Sequence, residues 1–322
     1  MPIKIAINGF GRIGRPAFRR ILDNHPNLKV AAINDLTDNK TLEHLLKYDS
    51  IYGKYDKNIQ AEMLSEKDPE KLPWGKMGID VVLECTGCFR DKEGAEKHLK
   101  AGAKKVIISA PAKSKDIPTF LLGINQDKYN PEKDNIMDMG SCTTNCLAPM
   151  AKILNDNFGI EKGFMTTIHS YTNDQKILDL PHKDLRRARA AGLNLIPTST
   201  GAASAIGKAI PELEGKLDGI AIRVPTPTVS ILDLIVEVKK SSTREEVNKI
   251  FIKAEKDYKG IFRTESEHLV STDFIGNTYS AILDLDKTMV QDNLIKVLGW
   301  YDNEAGYATR LAEFAEYIGN KL

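Results

Sequence analysis

The sequence predicts an α/β domain with a doubly wound, mainly parallel sheet, followed by an α+β domain with a mainly antiparallel sheet. Two observations carry this prediction. Short apolar strands alternate with helical patterns in the first half, which is typical of a parallel sheet covered by helices. Beyond residue 150 the predicted strands are longer and less regularly interleaved with helices. We therefore predict domains at 1–141 and 142–304, with a final helix within 305–322 that packs back on the first domain.

Composition excludes several classes of protein. The chain has 322 residues, a formal net charge of +1 and four cysteines. The charge gives no general attraction to nucleic acid or membranes, and no apolar run approaches the ~20 residues of a membrane span. The N-terminus enters a strand pattern at once, so no signal peptide is expected. So few cysteines do not resemble a secreted disulfide framework, and we expect a cytoplasmic protein.

The first strand leads into a glycine-rich turn. Apolar residues alternate over Ile3–Ile7, and Gly9, Gly11 and Gly14 form G-x-G-x-x-G before a helical pattern. Asp35 ends the second strand, 21 residues after Gly14. Alone, the glycines would indicate only a tight turn. With both strands, the helix and the acid in order, they predict a Rossmann dinucleotide-binding fold, with pyrophosphate on the helix N-terminus and ribose hydroxyls on Asp35.

The alternation continues to residue 141. A helix is predicted over Glu93–Ala101, and strands over Asp80–Cys85, Lys105–Ser109, Thr119–Ile124 and Asn135–Met137. Ligands bind at the carboxyl ends of parallel strands. We therefore expect the following residues to converge on one crevice: Asn8, Asp35, Thr86, Ser109 and Cys142.

The second half predicts four long strands, two helices and one long loop. Thr243 and Glu246 form a capping box for the first helix. The strands are 163–171, 219–224, 229–238 and 294–301, the helices 243–258 and 304–318, and the loop 172–196. A loop this long in a compact domain is usually functional.

Cys142 is the strongest single chemical signal. It follows a short apolar strand and precedes a strong helical pattern, so it lies at or near a helix N-terminus. Unpaired N–H groups and the helix dipole stabilise negative charge there, which can lower the pKa of a thiol. The position predicts a nucleophilic cysteine.

Two residues and one hydroxyl-rich segment could complete a site with Cys142. A strand histidine such as His169 is more often structural, but opposite this cysteine it is a candidate base. Arg223 could be an ion-paired or surface residue, yet its guanidinium suits a phosphate. Thr198–Ala203 could be an ordinary helix cap or a second anion site.

A basic run and two cysteine spacings could each indicate a binding site, but a simpler interpretation is favoured for both. The basic run Lys183, Arg186, Arg187 and Arg189 lacks interleaved aromatics, so a solvated or subunit-facing loop is favoured over a nucleic-acid site. The spacings Cys85-x-x-Cys88 and Cys142-x-x-x-Cys146 could form a zinc site or, at 85 and 88, a redox pair. Cys85 ends a strand, and Cys146 lies one helical turn from Cys142, which favours neither a zinc site nor a redox pair. No metal is predicted.

Together these segments resemble the phosphorylating glyceraldehyde-3-phosphate dehydrogenases over essentially the whole chain. The matching motifs are Asn8–Arg15, Ser141–Pro149, His169–Gln175, Arg223–Pro227 and Trp300–Glu304. The resemblance implies NAD as cofactor, glyceraldehyde 3-phosphate and inorganic phosphate as substrates, and a homotetramer with the long loop at a subunit interface. Leu180-Pro181 matches the NAD-preferring form of the family.

The resemblance also implies roles for individual residues. Cys142 would be the nucleophile and His169 the base. The substrate phosphate would contact Thr172, Asp174 and Arg223, and inorganic phosphate Ser141, Thr143, Thr200 and Gly201. Asn303 would hold the nicotinamide carboxamide, and Asp35 the adenine ribose. The other implied cofactor residues are Asn8, Gly9, Phe10, Gly11, Arg12, Ile13, Lys67, Thr86, Gly87 and Ser109.

Some segments depart from the family pattern. The segment Asp56–Lys67 is shorter than usual, with a pair of strands expected to be missing. Lys67 replaces a common arginine, Cys85 and Cys88 replace a serine and a non-cysteine, and Asp138-Met139-Gly140 replaces Ser-Asn-Ala. Two other functions stay open: an erythrose-4-phosphate dehydrogenase, and a non-catalytic nucleotide- or RNA-binding protein on the same fold.

Overall fold

The computed structural model describes all 322 residues, which form two compact units. The first unit comprises Met1–Ser141 and Tyr307–Leu322, and the second comprises Cys142–Gly306. Each unit has its own sheet.

The first unit contains a six-stranded parallel sheet. The unit has eight strands, six of them in this sheet: β1 (Ile3–Asn8), β2 (Leu28–Asn34), β3 (Tyr48–Asp49), β4 (Gly53–Lys54), β5 (Glu62–Leu64), β6 (Val81–Glu84), β7 (Lys105–Ile108) and β8 (Ile136–Asp138). The sheet order is β5-β2-β1-β6-β7-β8, and every pair in it is parallel. β3 and β4 form a separate antiparallel pair. The prediction of a doubly wound parallel sheet is confirmed.

Four helices connect these strands: α1 (Gly14–Asn24), α2 (Asn39–Lys47), α3 (Trp74–Met77) and α4 (Lys92–Lys100). Two begin at an aspartate whose side chain accepts a backbone N–H of the first turn. Asp38 caps α2 at 3.0 Å from the Thr41 nitrogen, and Asp91 caps α4 at 2.9 Å from the Gly94 nitrogen. Such caps satisfy N–H groups that lack a partner within the helix.

The strand predicted over Thr119–Ile124 is wrong. Only Thr119 makes a bridge, to Asp138, and turns follow it. The buried Asn125 side chain holds the turns, because its Nδ2 donates to the Thr119 carbonyl at 2.9 Å and its Oδ1 accepts the Leu121 N–H at 2.8 Å. An amide that replaces ladder partners in this way is not visible in apolar patterning.

The second unit contains a seven-stranded mixed sheet. Its elements are α5 (Cys142–Phe158), β9 (Ile160–Ser170), β10 (Ile196–Ser199), α6 (Ala202–Ala209), β11 (Leu217–Val224), β12 (Ser230–Val238), α7 (Arg244–Ala254), β13 (Phe262–Glu265), β14 (Ala281–Gln291) and β15 (Leu294–Tyr301). The sheet order is β10-β11-β9-β12-β15-β14-β13, and four of its six pairs are antiparallel. The α+β prediction is confirmed. A final helix, α8 (Ala305–Gly319), ends the chain.

Two features of this unit position the site described below. The predicted capping box is present at α7, where Thr243 and Glu246 exchange hydrogen bonds. The parallel pairing of β9 with β11 places His169 directly beside Arg223. None of the helices is both long and apolar enough to span a bilayer.

Candidate active site

Cys142 is the first residue of α5, as its sequence context predicts. Its Sγ lies 3.4 Å from the Nε2 atom of His169, so the two are in contact. Burial raises the pKa of the Cys142 thiol, although the Arg223 charge and the Thr143 N–H act in the opposite direction. The expectation that the helix N-terminus alone lowers this pKa is therefore wrong, because desolvation of the thiolate outweighs it. The thiol needs a base beside it.

His169 is placed to be that base. Its Nδ1 lies 2.7 Å from the Ser170 carbonyl oxygen. In the tautomer that carries its proton on Nδ1, this N–H donates to that carbonyl and Nε2 is the acceptor that faces the Cys142 sulfur. Burial, and next the charge of Arg223, lower the pKa of His169 to about 3. The imidazole is therefore neutral at physiological pH and can take a proton.

Arg223 supplies a buried positive charge next to this pair. Its Nη1 lies 2.7 Å from His169 Nδ1 and donates to the Ser170 carbonyl at 3.0 Å, so this carbonyl accepts from both nitrogens when Nδ1 carries the proton. Its buried Nε has no hydrogen-bond partner within the protein.

Arg187 contacts Asp174, one of the predicted phosphate residues, although the sequence analysis placed it only in a basic run. Its Nη1 lies 2.6 Å from Asp174 Oδ2, its Nε donates to Thr198 Oγ1 at 2.9 Å, and its side chain is 20% exposed. Its charge also acts on His169 and Arg223. Arg187 is thus not fully solvated within the chain, and the subunit-facing interpretation of the basic run stays a prediction. Lys183, Arg186 and Arg189 are exposed.

Asp174 links Arg187 to the long loop. Burial acts to raise its pKa, but hydrogen bonds from Arg187 and His182 lower it overall. Asp174 is thus an ionised partner of Arg187. Its exposed position leaves the cluster accessible to a ligand.

The predicted phosphate residues take different positions. Thr172 and Thr200 are half-buried, and Gly201 is exposed at the N-cap of α6. The Thr200 hydroxyl accepts the Ala202 N–H at 3.2 Å. The Thr143 side chain is buried, with its hydroxyl 2.9 Å from Tyr301 OH. The Thr143 hydroxyl is therefore already engaged within the protein.

Tyr301 is a second residue that sequence reasoning missed. Its ring stands edge-on to His169 with centroids 6.0 Å apart, and its hydroxyl lies 2.7 Å from Thr167 Oγ1. The ring fixes one side of the imidazole. The only sequence signal was its place in the motif Trp300–Glu304.

The glycine-rich turn of the first unit fits a dinucleotide. Gly9 has a φ of +93°, and a Cβ there would lie 2.7 Å from the Thr86 nitrogen. A Cβ on Gly14 would lie 2.2 Å from the Gly9 carbonyl oxygen, whereas nothing lies within 4 Å of a Cβ on Gly11. Two glycines therefore make the turn, and the third leaves the open space that a pyrophosphate requires.

Asp35 is held facing this turn. Its Oδ2 accepts the Phe10 N–H at 2.8 Å, and its Oδ1 accepts the Thr37 N–H at 2.9 Å. A carboxylate offers about four acceptor sites, so two remain for ribose hydroxyls. These contacts fit the adenosine half of a dinucleotide.

The remaining cofactor candidates lie around the same sheet edge. Arg12 pairs with Asp49 at 2.5 Å, and Ile13 is the N-cap of α1. Thr86 and Gly87 are exposed directly after β6, Ser109 follows β7, and Lys67 is exposed after β5.

Two residues predicted for the site belong to different units. Asn303, in the second, accepts a hydrogen bond from Ser230 Oγ at 3.0 Å, while Ser141 ends the first. The single crevice that would join the strand ends of the first unit to Cys142 stays a prediction.

All four cysteines are free. Burial raises the pKa of the Cys85 thiol to about 12, and a protonated thiol is a poor partner for thiol exchange. The structure contains no group of three or more histidine, cysteine or acidic side chains arranged to hold a metal ion.

Comparisons with known proteins match both units. Residues 3–92 match the model of the glyceraldehyde 3-phosphate dehydrogenase NAD binding domain, and residues 141–303 match that of the C-terminal domain. Glyceraldehyde-3-phosphate dehydrogenase from Geobacillus stearothermophilus is 54% identical over 335 aligned positions, which cover 100% of this chain and 99% of the relative. Glyceraldehyde-3-phosphate dehydrogenase 1 from Bacillus subtilis is 53% identical with the same coverage, and the Streptomyces coelicolor enzyme is 51% identical with 100% of each chain covered. The chain therefore belongs to the glyceraldehyde-3-phosphate dehydrogenase family.

Proposed function

We propose that this protein is an NAD-dependent dehydrogenase that converts D-glyceraldehyde 3-phosphate and inorganic phosphate to 1,3-bisphosphoglycerate. The single observation that carries the proposal is the contact of Cys142 Sγ with His169 Nε2 at 3.4 Å beside the Arg223 guanidinium. A nucleophile, a neutral base and a cation within a few ångströms support covalent chemistry on an anionic carbonyl substrate.

The reaction begins with addition of sulfur to the aldehyde. As the Cys142 sulfur forms a bond to the aldehyde carbon, its proton passes to His169 Nε2. His169 then gives this proton to the carbonyl oxygen, so the product is a neutral thiohemiacetal on Cys142 and the imidazole is again unprotonated. The Ser170 carbonyl accepts Nδ1–H throughout, which stabilises the imidazolium when it forms.

Oxidation then turns the thiohemiacetal into a thioester. NAD supplies the hydride acceptor when bound. His169 takes the hydroxyl proton as the C–H electron pair leaves, so the carbonyl forms again with sulfur still attached. The positive charge of Arg223 opposes protonation of His169 at rest, because it lowers the pKa of the imidazole. This keeps the base available for each cycle.

Phosphate completes the cycle. A phosphate oxygen bonds to the thioester carbon, the C–S bond breaks, and Cys142 leaves as thiolate and regains a proton. The two arginines support binding of two anionic groups: Arg223, with Thr172 and Asp174, for the substrate phosphate, and Arg187, with Ser141, Thr143, Thr200 and Gly201, for the inorganic phosphate. The role of Arg187 is our addition to the sequence-based set.

The activity is tested by the absorbance of NADH. Mixing the protein with glyceraldehyde 3-phosphate, NAD and phosphate should produce NADH continuously, and omitting phosphate should slow the steady state. Erythrose 4-phosphate in a parallel assay should react more slowly. The absence of NADH formation with either aldehyde, at concentrations that saturate NAD binding, would contradict the proposal.

Asp35 is expected to determine the choice between NAD and NADP. Asp35→Asn removes the negative charge that would repel the 2′-phosphate of NADP. It also replaces a carboxylate by an amide, which accepts weaker hydrogen bonds from the ribose hydroxyls. The dissociation constant for NAD should rise about 10-fold, the equivalent of ~1.4 kcal/mol, and the preference for NAD over NADP should shrink. Calorimetric titration with both cofactors measures this. Asp38→Asn, which alters only the cap of α2, is the matched control and should leave both constants unchanged. An unaltered NAD/NADP ratio in Asp35→Asn would disprove the role.

We also propose a homotetramer, in the cytoplasm. The support lies in the long loop, which exposes large apolar side chains at high fractions: Ile177 88%, Leu178 67%, Leu180 58%, Leu185 82%, Leu193 80% and Leu195 70%. Clustered exposed apolar residues mark interaction surfaces, and other copies of the chain would cover them. Light scattering on the purified protein should give four times the 35.8 kDa chain mass. A monomeric mass would contradict this assembly.

A further inference from the structure

A buried polar cluster lies in the first unit at the carboxyl ends of β1 and β6. We call it the Glu84 cluster; it consists of Asn8, Trp74, Glu84 and His98. Glu84 is 1% exposed and His98 is 0% exposed. Burying such groups is costly unless every hydrogen bond is satisfied. The chemistry proposed above uses neither Glu84 nor His98.

The donors and acceptors of the cluster can be assigned without ambiguity. The indole N–H of Trp74 is only a donor, and it lies 3.0 Å from His98 Nδ1. Nδ1 therefore accepts, and a neutral His98 carries its proton on Nε2. That N–H donates to Glu84 Oε2 at 3.0 Å. The Asn8 amide donates to the same oxygen at 2.6 Å.

The second carboxylate oxygen of Glu84 holds the turn after β6. Glu84 Oε1 accepts the backbone N–H of Thr86 at 2.8 Å and also its hydroxyl. The Thr86 hydroxyl in turn accepts the Cys88 N–H at 3.0 Å. Both Glu84 oxygens thus face donors: two side-chain N–H groups at Oε2, and a backbone N–H and a hydroxyl at Oε1.

These contacts reach two residues proposed to bind the cofactor. Thr86 lies against the glycine-rich turn, since a Cβ on Gly9 would come within 2.7 Å of the Thr86 nitrogen. Asn8 immediately precedes that turn, and its Oδ1 accepts from Asn34 at 2.7 Å. One carboxylate therefore fixes the ends of β1 and β6 relative to each other, next to the open space at Gly11.

We propose that Glu84, oriented by His98, is a positioning residue for NAD: it sets the Thr86 backbone and the Asn8 amide, and so the affinity for the cofactor. This inference rests on the proposed NAD-dependent function. It makes Glu84 and His98 determinants of cofactor binding rather than of chemistry at Cys142.

The test is the nearly isosteric substitution Glu84→Gln. A glutamine replaces one carboxylate oxygen by an NH₂ group. In one orientation this NH₂ faces the N–H groups of Asn8 and His98, and in the other it faces the backbone N–H of Thr86. Loss of one buried acceptor should raise the dissociation constant for NAD about 10-fold. The KM for NAD should rise likewise, while kcat at saturating NAD stays within about twofold. Alkylation of Cys142 by iodoacetamide without cofactor should keep its wild-type rate.

Glu316→Gln is a matched control within the same unit. Glu316 also pairs with a histidine and an asparagine, at 2.7 Å from His25 Nδ1 and 3.1 Å from Asn27 Nδ2, but touches no proposed cofactor residue. Both substitutions should lower the Tm. Only Glu84→Gln should weaken NAD binding, and a merely structural role would not produce this difference.

A second variant covers the case in which Glu84→Gln does not fold. His98→Asn keeps the carboxylate but removes the N–H that orients it, and it should weaken NAD binding by a smaller factor. If whichever of the two variants folds has the same dissociation constant for NAD as the wild type, within error, the inference is wrong and the proposed function stands. If the wild-type protein itself does not bind NAD in the titration, the proposed function fails instead.

Discussion

Cys142→Ser is expected to lower kcat at least about 10³-fold, because a serine hydroxyl beside a neutral imidazole is a much weaker nucleophile than a thiol and forms no thioester. Burial raises the pKa of the Cys142 thiol, but the pKa of a hydroxyl is far higher still. The measurement is the rate of NADH formation at saturating substrates. NAD affinity and circular dichroism should match the wild type.

Cys146→Ser is the matched control for this substitution. Cys146 lies one helical turn along α5, fully buried, with its Sγ 3.8 Å from the Gly299 carbonyl oxygen. Burial raises its pKa well above the ordinary value, so it is an inert thiol. The variant should keep kcat within a few-fold. Near wild-type activity in Cys142→Ser would contradict the assignment of Cys142 as the nucleophile. So would a complete loss of activity in Cys146→Ser.

His169→Asn is expected to reduce kcat about 10²- to 10⁴-fold, since it removes the general base from both the addition and the oxidation step. His169 has a pKa lowered to about 3, because it is buried and next to Arg223, and is therefore unprotonated at neutral pH. Without it no base stands beside the protonated thiol, so alkylation of Cys142 at neutral pH should be slower.

The rate of iodoacetamide alkylation as a function of pH measures this loss. His25→Asn replaces another largely buried histidine, which pairs with Glu316, and serves as the control. It should lower stability and leave the alkylation profile unchanged. A profile that coincides with the wild type in His169→Asn would mean that the imidazole does not take the proton of Cys142.

Sequence patterns predicted the regular parts of the fold because their signal is local. β-branched alternation marked β1, short apolar runs marked β6 and β7, and the capping box marked α7. β14 (Ala281–Gln291) was not predicted, since charged residues break its alternation and its pairing with β15 shifts register between Asp284 and Met289. The helix α2 was also missed. Irregular pairing of this kind depends on the neighbouring strand rather than on the segment itself.

The candidate site likewise contains residues that local sequence patterns predict and residues that depend on the rest of the fold. Cys142 and His169 stood in recognisable local contexts, and β-sheet register brought Arg223 beside His169. Arg187 was missed because it lies in a loop without periodicity, and its role depends on Asp174, 13 residues away. The direction of the Cys142 pKa shift was also misjudged. A helix start is visible in the sequence, whereas the desolvation that outweighs it depends on the whole unit.

The most direct test of the account is a single-turnover experiment without phosphate. Rapid mixing of the protein with glyceraldehyde 3-phosphate and NAD should give a burst of one NADH per chain, and intact mass and peptide analysis should place the acyl group on Cys142. Added phosphate should then release the acyl group and restore continuous turnover. NADH formation without a burst, at a rate that phosphate does not change and with no acyl group on Cys142, would contradict the covalent mechanism.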